Sequence, residues 1–312
     1  MTLDQVDIRD AFFDQIYLRG SYNENIIILS ADMDAFSLRK FSKDYPNQYI
    51  NVGVSEQNMI NIAAGLAISG KIVFCYSIAS FATLRCFEQI KVNLCSLNLP
   101  VTIIGAGAGF SFGYDGPTHH GLQDLSSMRL LPEMTILELS TNDLAQKSVD
   151  FSIKNKGPNY IRLDKGPFPE WKNCEISFSK GFRIIKPLSN INLITNGYMT
   201  RKVLEVADLL EEKGLRCGVV DLFRIKPFPE TFFKEVIITS KKLISIEESC
   251  ITGGLGTTLS EIIAQSSHGC HLKVIGFPDK QFIEYGEREW FHKKYQLDKK
   301  GIVQKLNDFL HN

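Results

Sequence analysis

The sequence predicts an α/β protein built from two open, mostly parallel, three-layer domains. Short apolar runs alternate with helical patterns along the whole chain, which is typical of parallel sheets flanked by helices. A stretch with two prolines, a glycine and no periodicity interrupts this alternation near residue 170. The chain has 312 residues, 44% of them hydrophobic, which is enough for two domains with separate cores.

The first half of the chain contains short apolar runs that predict buried strands. These strands are predicted at residues 26–30, 72–76, 101–105, 134–138 and 159–162. Helices are predicted at residues 8–19, 57–69, 84–97 and 142–154.

The second half repeats the same alternation. Its strands are predicted at residues 191–195, 216–221, 242–246 and 272–276, and its helices at 201–213, 255–264 and 302–310. We therefore expect a first domain over residues 1–170, a linker over 171–182 and a second domain over 183–312.

Composition narrows the class of function. The formal net charge of zero gives no support for a nucleic-acid or anionic-membrane partner. The acidic, polar N-terminus is unlike a signal peptide, and no apolar run approaches the roughly 20 residues of a membrane span. Seven cysteines without Cys-x-x-Cys or Cys/His metal spacing predict reduced thiols in a cytoplasmic protein.

Glu56 is the most informative single residue, because the predicted helix that follows it is apolar on almost every face. Such a helix is buried, and a carboxylate at its start is costly unless something pairs with it. Two interpretations of this segment alone are open. Glu56 is either a helix-start acid favoured by the helix dipole or a carboxylate that meets a ring nitrogen of a bound cofactor.

A second candidate segment is the loop at residues 113–121, Gly-Tyr-Asp-Gly-Pro-Thr-His-His-Gly, which follows a strand and a glycine-rich stretch at 105–109. Ligands bind beyond the carboxyl ends of strands in open α/β sheets. Asp-Gly-Pro-Thr is also a good turn sequence, but the adjacent His119 and His120 favour a ligand site. A metal site is disfavoured, because no other His or Cys has suitable spacing nearby.

A third candidate segment covers residues 77–89. Phe81 lies at its loop-to-helix junction, where an aromatic face can stack on a planar ligand. Phe87, six residues further on, is better explained as a core aromatic of the helix.

Taken together and in this order, three segments resemble the pyrimidine-binding domain of transketolase, a thiamine-diphosphate enzyme. They are Gly53-Val-Ser-Glu-Gln, Phe81-Ala-Thr-Leu-Arg-Cys-Phe-Glu-Gln and Asp115-Gly-Pro-Thr-His. The resemblance covers essentially the whole chain and is closest to the split forms, in which the usual long chain is divided between two subunits. It implies transfer of a two-carbon ketol group from a ketose donor to an aldose acceptor.

The resemblance also implies roles for residues close to the cofactor. The Glu56 carboxylate is expected to hydrogen-bond N1′ of the aminopyrimidine and to favour the imino tautomer that deprotonates C2 of the thiazolium. Phe81 is expected to stack on the aminopyrimidine. Asp32 resembles the family's acidic residue close to the cofactor, and Arg85 belongs to the same motif as Phe81.

Substrate contacts are implied for four further residues. Asp115 resembles the residue that reads the hydroxyl stereochemistry of the sugar donor. His119 resembles one that contacts substrate hydroxyls or the carbonyl oxygen, and it counts with Glu56 as catalytic. Arg9 and Lys165 fall where family members place cations that hold a substrate phosphate.

One half of the family's cofactor site is missing from the sequence. The family binds Mg²⁺ and the diphosphate with Gly-Asp-Gly followed by an Asn, and no Gly-Asp-Gly occurs in this chain. Because the chain begins with its own Met, we expect a separate N-terminal partner chain that binds the diphosphate and is the main binding partner of the Mg²⁺ ion. An α2β2 heterotetramer with an active site between subunits follows, with no metal ligand from this chain.

The sequence leaves the sugar substrate open. Gly107 stands where full-length transketolases have a histidine that helps bind phosphate, and Lys165 replaces the usual arginine, keeping the charge without the two-pronged geometry. Phosphorylated pentoses and non-phosphorylated, nucleotide-linked or otherwise specialised sugars all stay possible. In the C-terminal domain, Gly-Gly-Leu-Gly at 253–256 lacks dinucleotide-binding spacing, and no catalytic residue is assigned there.

Three other functions compete with a transketolase subunit. Two are enzymes, a 1-deoxyxylulose-5-phosphate synthase-like enzyme and the β subunit of a 2-oxo acid dehydrogenase. The third is a non-enzymatic scaffold subunit. The Asp-Gly-Pro-Thr-His run favours transketolase over the dehydrogenase, and retention of Glu56 and His119 argues against the scaffold.

Overall fold

The computed structural model describes residues 5–171 and 176–310 and divides the chain into two compact units. The first unit contains the described residues up to 108 together with 123–170, and the second contains 109–122 and the described residues from 171 onward. The loop at 109–122, which the sequence assigns to the first domain, therefore groups with the second unit. Residues 172–175 of the predicted linker lie outside the described residues.

The first unit is built on a parallel sheet, as the apolar runs predict. Its strands are β1 (Ile26–Ser30), β2 (Tyr49–Asn51), β3 (Ile72–Ile78), β4 (Val101–Ala106), β5 (Thr135–Glu138) and β6 (Asn159–Leu163). They pair in the order β5-β6-β4-β3-β1-β2, with every pair parallel. All residues of β1, β4, β5 and β6 are buried, as expected for strands covered on both faces.

Among the described residues of the first unit, seven α-helical segments accompany these strands. They are α1 (Ile8–Gly20), α2 (Phe36–Asp44), α3 (Glu56–Ile68), α4 (Ala79–Thr83), α5 (Phe87–Gln89), α6 (Asp124–Arg129) and α7 (Asn142–Lys154). Side-chain caps define two of the starts: Asp7 accepts from the Arg9 amide before α1, and Thr141 accepts from the Leu144 amide before α7. The sequence did not predict α2, α6 or the short edge strand β2.

The prediction of one continuous helix over residues 84–97 is wrong. The chain leaves helical geometry after Thr83, resumes briefly at Phe87–Gln89 and continues as a π-helix over Ile90–Cys95. Beyond it, the Ser96 amide donates to the Lys91 carbonyl five residues earlier, at 3.1 Å. Apolar spacing alone does not distinguish this wider turn from an α-helix.

The second unit has a five-stranded sheet in the order β12-β11-β8-β9-β7, in which only β7 runs antiparallel to its neighbour. The strands of this sheet are β7 (Arg183–Lys186), β8 (Ile191–Thr195), β9 (Gly218–Asp221), β11 (Lys242–Cys250) and β12 (His271–Phe277), and a further short strand of the unit, β10 (Arg224–Lys226), lies outside this sheet. Its helices are α8 (Met199–Glu212), α9 (Glu230–Thr239), α10 (Leu255–Ala264), α11 (Arg288–Lys294) and α12 (Lys299–Leu310). The α/β class is confirmed, although β7, β10, α9 and α11 were not predicted.

The loop at 109–122 contributes directly to the core of the second unit. Phe110 and Leu122 are buried there together with Phe277, Phe282 and Phe291. Burying these apolar side chains ties the loop to β12 and α11. The grouping of the loop with the second unit therefore has a packing cause.

Candidate functional site

Glu56 begins α3, and only 2% of its side chain is exposed. Its carboxylate accepts a hydrogen bond from Arg85 Nη1 at 2.7 Å, and Ser77 Oγ donates to its other oxygen at 3.4 Å. The charge also lies at the positive end of the α3 dipole. The buried acid thus has the partner that its position requires, and the sequence did not identify Arg85 as that partner.

Arg85 links Glu56 to Phe81. Its guanidinium carbon lies 4.1 Å from the centroid of the Phe81 ring, which is a cation–π contact. Gln57 Nε2 donates to the Arg85 carbonyl at 3.0 Å, which holds the break after α4 against the start of α3. Since 42% of the Arg85 side chain is exposed, this cluster of an acid, a cation and an aromatic ring reaches solvent.

Asp32 lies just after β1 with a left-handed backbone, at a φ of 56°. Its amide donates to Asn51 Oδ1 at 3.1 Å, and Asn51 Nδ2 lies 3.3 Å from the Asp32 carboxylate. The same Asn51 oxygen accepts from the Gly53 amide at 3.0 Å. Asn51 therefore connects Asp32 to the segment that leads into α3, a link that no sequence motif indicated.

Arg9 and Lys165 belong to neighbouring backbone segments. The Ile8 amide donates to the Gly166 carbonyl at 2.9 Å, and Asp7 Oδ2 accepts from the Gly166 amide at 2.9 Å. Arg9 forms two side-chain hydrogen bonds with Asp7, at 3.0 and 2.8 Å, and these raise the pKa of Arg9. The Arg9 charge is thus balanced by Asp7, whereas the Lys165 side chain is exposed.

Asp115 and His119 lie in the loop of the second unit. Asp115 ends a 3-10 turn at Gly113–Asp115 and is exposed. His119 is half-buried, and its Nδ1 lies 2.9 Å from Thr118 Oγ1. The loop thus presents a carboxylate and an imidazole at the protein surface.

His120 points the other way, into the core of the second unit. It is 5% exposed, and its ring lies 4.6 Å from Phe110 and 5.6 Å from Phe291. Burial lowers the pKa of His120, so its ring stays neutral near pH 7. The two adjacent histidines therefore differ: His119 reaches the surface and His120 is a core residue.

Two buried acids that the sequence did not single out, Glu247 and Glu248, lie near the end of β11. Glu247 accepts from the amides of Leu255 and Gly256, at 2.8 and 2.9 Å, and so caps the start of α10. A dinucleotide phosphate would need those same amides, so the cap agrees with the lack of dinucleotide-binding spacing at 253–256. Neighbouring residues on a strand point to opposite faces, and Glu248 contacts the loop at 109–122 instead.

None of the described cysteines is joined in a disulfide: five are buried, and Cys270 is partly buried. Cys174 lies outside the described residues. None of the helices in the described residues combines the length and the apolar composition that a membrane-spanning helix requires. Among those same residues, no group of three or more His, Cys, Asp or Glu side chains has a metal-binding arrangement.

Two family models match the chain over most of its length. The model for the transketolase pyrimidine-binding domain matches residues 4–169, and the model for the transketolase C-terminal domain matches residues 181–302. Both domains appear in the order that the sequence motifs indicated.

Individual relatives agree with these models. An apulose-4-phosphate transketolase subunit of Actinobacillus succinogenes is 33% identical over 84% of this chain and 85% of its own length. The 1-deoxy-D-xylulose-5-phosphate synthase of Cytophaga hutchinsonii is 30% identical over 96% of this chain, but only 48% of its own length is covered. A solved structure described as a split gene transketolase, inactive beta4 tetramer, is 29% identical, with a TM-score of 0.85 and 97% of both chains covered. This chain therefore belongs to the transketolase family and corresponds to the pyrimidine-binding and C-terminal domains of that family.

Proposed function

We propose that this chain is the C-terminal subunit of a thiamine-diphosphate-dependent split transketolase, which transfers a two-carbon ketol group from a ketose to an aldose. The observation that carries the proposal is the buried Glu56 carboxylate at the start of α3, paired with a planar cation that stacks on Phe81. The Actinobacillus relative, itself a transketolase subunit of nearly the same length, supports the division of the enzyme into two chains.

The contacts around Glu56 fit an aminopyrimidine. The Arg85 guanidinium is planar, lies on the Phe81 ring and donates an N–H to Glu56. A protonated ring nitrogen in a flat heterocycle offers the same two features, a π face and an N–H donor. A carboxylate has about four acceptor sites, so Glu56 has room for such a donor beside Arg85 and Ser77.

The chain's own residues would bind and orient the cofactor. Glu56 would accept a hydrogen bond from N1′ and hold the proton at that nitrogen, because a buried carboxylate strongly favours a cationic donor. Phe81 would support the ring face, with Arg85 and Asp32 close to the cofactor. When bound, thiamine diphosphate supplies the electron sink for cleavage of a carbon–carbon bond next to a carbonyl.

Substrate recognition is assigned to four residues. Asp115 would accept a hydrogen bond from a donor hydroxyl, and His119 would contact a hydroxyl or the carbonyl oxygen and act as the second catalytic residue. Arg9 and Lys165 would bind a phosphate. Lys165 is exposed, and Arg9 would bind the phosphate while it also pairs with Asp7. The phosphate in the name of the Actinobacillus relative's substrate supports a phosphorylated sugar without excluding a specialised one.

A partner chain would provide the rest of the site. The sequence lacks Gly-Asp-Gly, so the diphosphate and most of the Mg²⁺ coordination are assigned to that partner, in an α2β2 assembly. The related split-gene β chains were solved as an inactive tetramer, and we expect the same inactivity of this chain alone. Buried cysteines that form no disulfide among the described residues support a cytoplasmic location.

The experiment is to produce the chain together with a candidate partner that contains Gly-Asp-Gly, and to screen phosphorylated and free sugars with thiamine diphosphate and Mg²⁺. Consumption of a ketose and an aldose without CO₂ would support the proposal. CO₂ release from pyruvate would instead indicate the synthase or dehydrogenase reaction. A stable complex inactive in every screen would favour the scaffold.

A further inference from the structure

The loop at 109–122 is closed and anchored by backbone hydrogen bonds within the second unit. The amides of Gly109 and Gly121 each donate to the other's carbonyl, at 2.9 and 2.8 Å. The Cys250 amide, at the end of β11, donates to the Leu122 carbonyl at 3.1 Å. The end of β11 thus holds one end of the segment that carries Asp115 and His119.

Glu248 holds the other end of the loop. It is 2% exposed, and its Oε1 accepts from the Phe110 amide at 3.2 Å. A side chain at Gly109 has no space, because a Cβ there would lie 2.2 Å from the Glu248 carboxyl carbon. Gly109 also has a φ of 56°, which few other residues adopt easily. The backbone and the carboxylate are therefore fitted closely to each other.

Two side chains of α11, Arg288 and His292, fix the Glu248 carboxylate. Arg288 Nε lies 2.8 and 2.9 Å from its two oxygens, and His292 Nε2 lies 2.8 Å from Oε1. Lys202 Nζ lies 2.5 Å from His292 Nδ1. Because an ammonium can only donate, Nδ1 is assigned as the acceptor, which places the imidazole proton on Nε2, facing Glu248. The carboxylate is thus held by donors on both of its oxygens.

The same helix packs against the loop. Phe110 stacks on Phe291 of α11, with ring centroids 3.8 Å apart and planes 7° from parallel. Further along, the Gly286 amide donates to the Gly113 carbonyl at 3.2 Å. A Cβ on Gly113 would lie 2.3 Å from the Gly286 carbonyl oxygen. These contacts hold the segment that leads into the 3-10 turn ending in Asp115.

We infer that Glu248 is a positioning residue that fixes the loop presenting Asp115 and His119 to the donor sugar. The Glu248 carboxylate binds the Phe110 amide, five residues before Asp115, and does not contact the substrate. The inference rests on the proposed function for the roles of Asp115 and His119. The anchoring of the loop itself can be measured without any substrate.

The first test measures amide hydrogen exchange of the whole chain as wild type, Glu248→Gln and Glu247→Gln. Glu247→Gln is the matched control, because that neighbouring buried acid caps α10. We expect Glu248→Gln to speed exchange at Phe110 and across 109–122 by about tenfold, because a charge-assisted hydrogen bond is lost, while β1 and β3 are unchanged. Unchanged exchange in the loop, or equal acceleration in both variants, would overturn the inference.

The second test uses the reconstituted complex and a double-mutant cycle with Asp115→Ala. If Glu248 acts through the loop, Glu248→Gln lowers kcat/KM for a hydroxylated donor about tenfold in the wild-type background and much less in the Asp115→Ala background. Thiamine-diphosphate affinity should stay within about twofold, as for Glu247→Gln. Additive losses would mean that Glu248 does not work through Asp115.

The two proposals can fail separately. A wild-type complex without transketolase activity would refute the proposed function, while exchange at Phe110 would still decide whether Glu248 holds the loop. If Glu248→Gln does not fold, Arg288→Lys keeps the charge but loses the two-pronged contact, and it should accelerate loop exchange to a smaller degree. No acceleration in Arg288→Lys would then count against the inference.

Discussion

The Arg85 guanidinium and the Glu56 carboxylate, 2.7 Å apart, form an ion pair with very unequal burial. Glu56 is 2% exposed and Arg85 is 42% exposed. The acid is therefore enclosed at the start of α3, while the cation extends from the helix break after α4 to the solvent. An incoming ring that donates to Glu56 can share the acid with Arg85 or push the guanidinium towards solvent.

Glu56→Gln should leave the fold intact and lower transfer activity of the reconstituted complex by at least about a hundredfold, because an amide cannot hold a proton at N1′ as a carboxylate does. The measurement is the initial rate of ketol transfer at saturating thiamine diphosphate. Glu88→Gln, at an acid three residues after Arg85, serves as the control and should keep its rate. Near-normal turnover of the Glu56 variant would refute its assigned role.

Arg85→Met should destabilise the cofactor-free chain by about 1 kcal/mol, because it removes the cation from a buried acid while the exposure of Arg85 limits the value of the pair. Denaturant unfolding of the single variants and of the Glu56→Gln/Arg85→Met double variant gives the coupling. The double variant should lose less stability than the sum of the two singles. Strict additivity would mean that the pair contributes nothing in solution.

Asp115→Ala should reduce kcat/KM for donors with the correct hydroxyl configuration by about tenfold to a hundredfold, and for the matching deoxy donors far less. The reason is that a lost hydrogen bond to a charged acceptor matters only when the substrate has the hydroxyl. Both donors are compared on the same reconstituted complex. Equal losses would show that Asp115 does not read that hydroxyl.

Glu248 should make stability depend on pH in the acid range. Burial works to raise the pKa of Glu248, but the charge of Arg288 and the hydrogen bonds from Arg288 and His292 outweigh it and hold the pKa well below its ordinary value of 4.5. The contribution of Glu248 to the free energy of unfolding is therefore complete above pH 4.5 and is lost as the pH falls towards the folded-state pKa. Urea unfolding at several pH values should show a shallower loss for Glu248→Gln than for wild type. Parallel curves would contradict this.

Strand prediction succeeded where burial leaves a strong local signal. β1 and β8 begin and end at the predicted residues, because their apolar runs are bounded by polar or turn-forming residues. The helix predicted at 84–97 failed because the break at Arg85 depends on contacts with Glu56 and Gln57, almost thirty residues earlier. Local periodicity contains no information about such distant partners.

The residues of the candidate site also differ in whether the local sequence reveals them. Glu56 and Phe81 were recognisable from the residues around them, and the structure brings them together through Arg85. Asn51 beside Asp32 and Glu248 beside Phe110 were not, because each is defined by its spatial neighbour rather than by a motif. The sequence Glu247-Glu248 also does not indicate what either side chain contacts. Only the strand geometry shows that the two acids face different elements.

The Gly109–Gly121 bridge closes the loop at its base, while Tyr114 and Asp115 at its tip are exposed. Substitutions at the tip should therefore be tolerated without a change in the bridge at the base of the loop or in the second unit that anchors it. Under the proposed role of Asp115, substitutions at a few tip positions would change which donor sugar the enzyme accepts. Substrate specificity would then depend on the tip, whereas the closure of the loop depends on the Gly109–Gly121 bridge at its base.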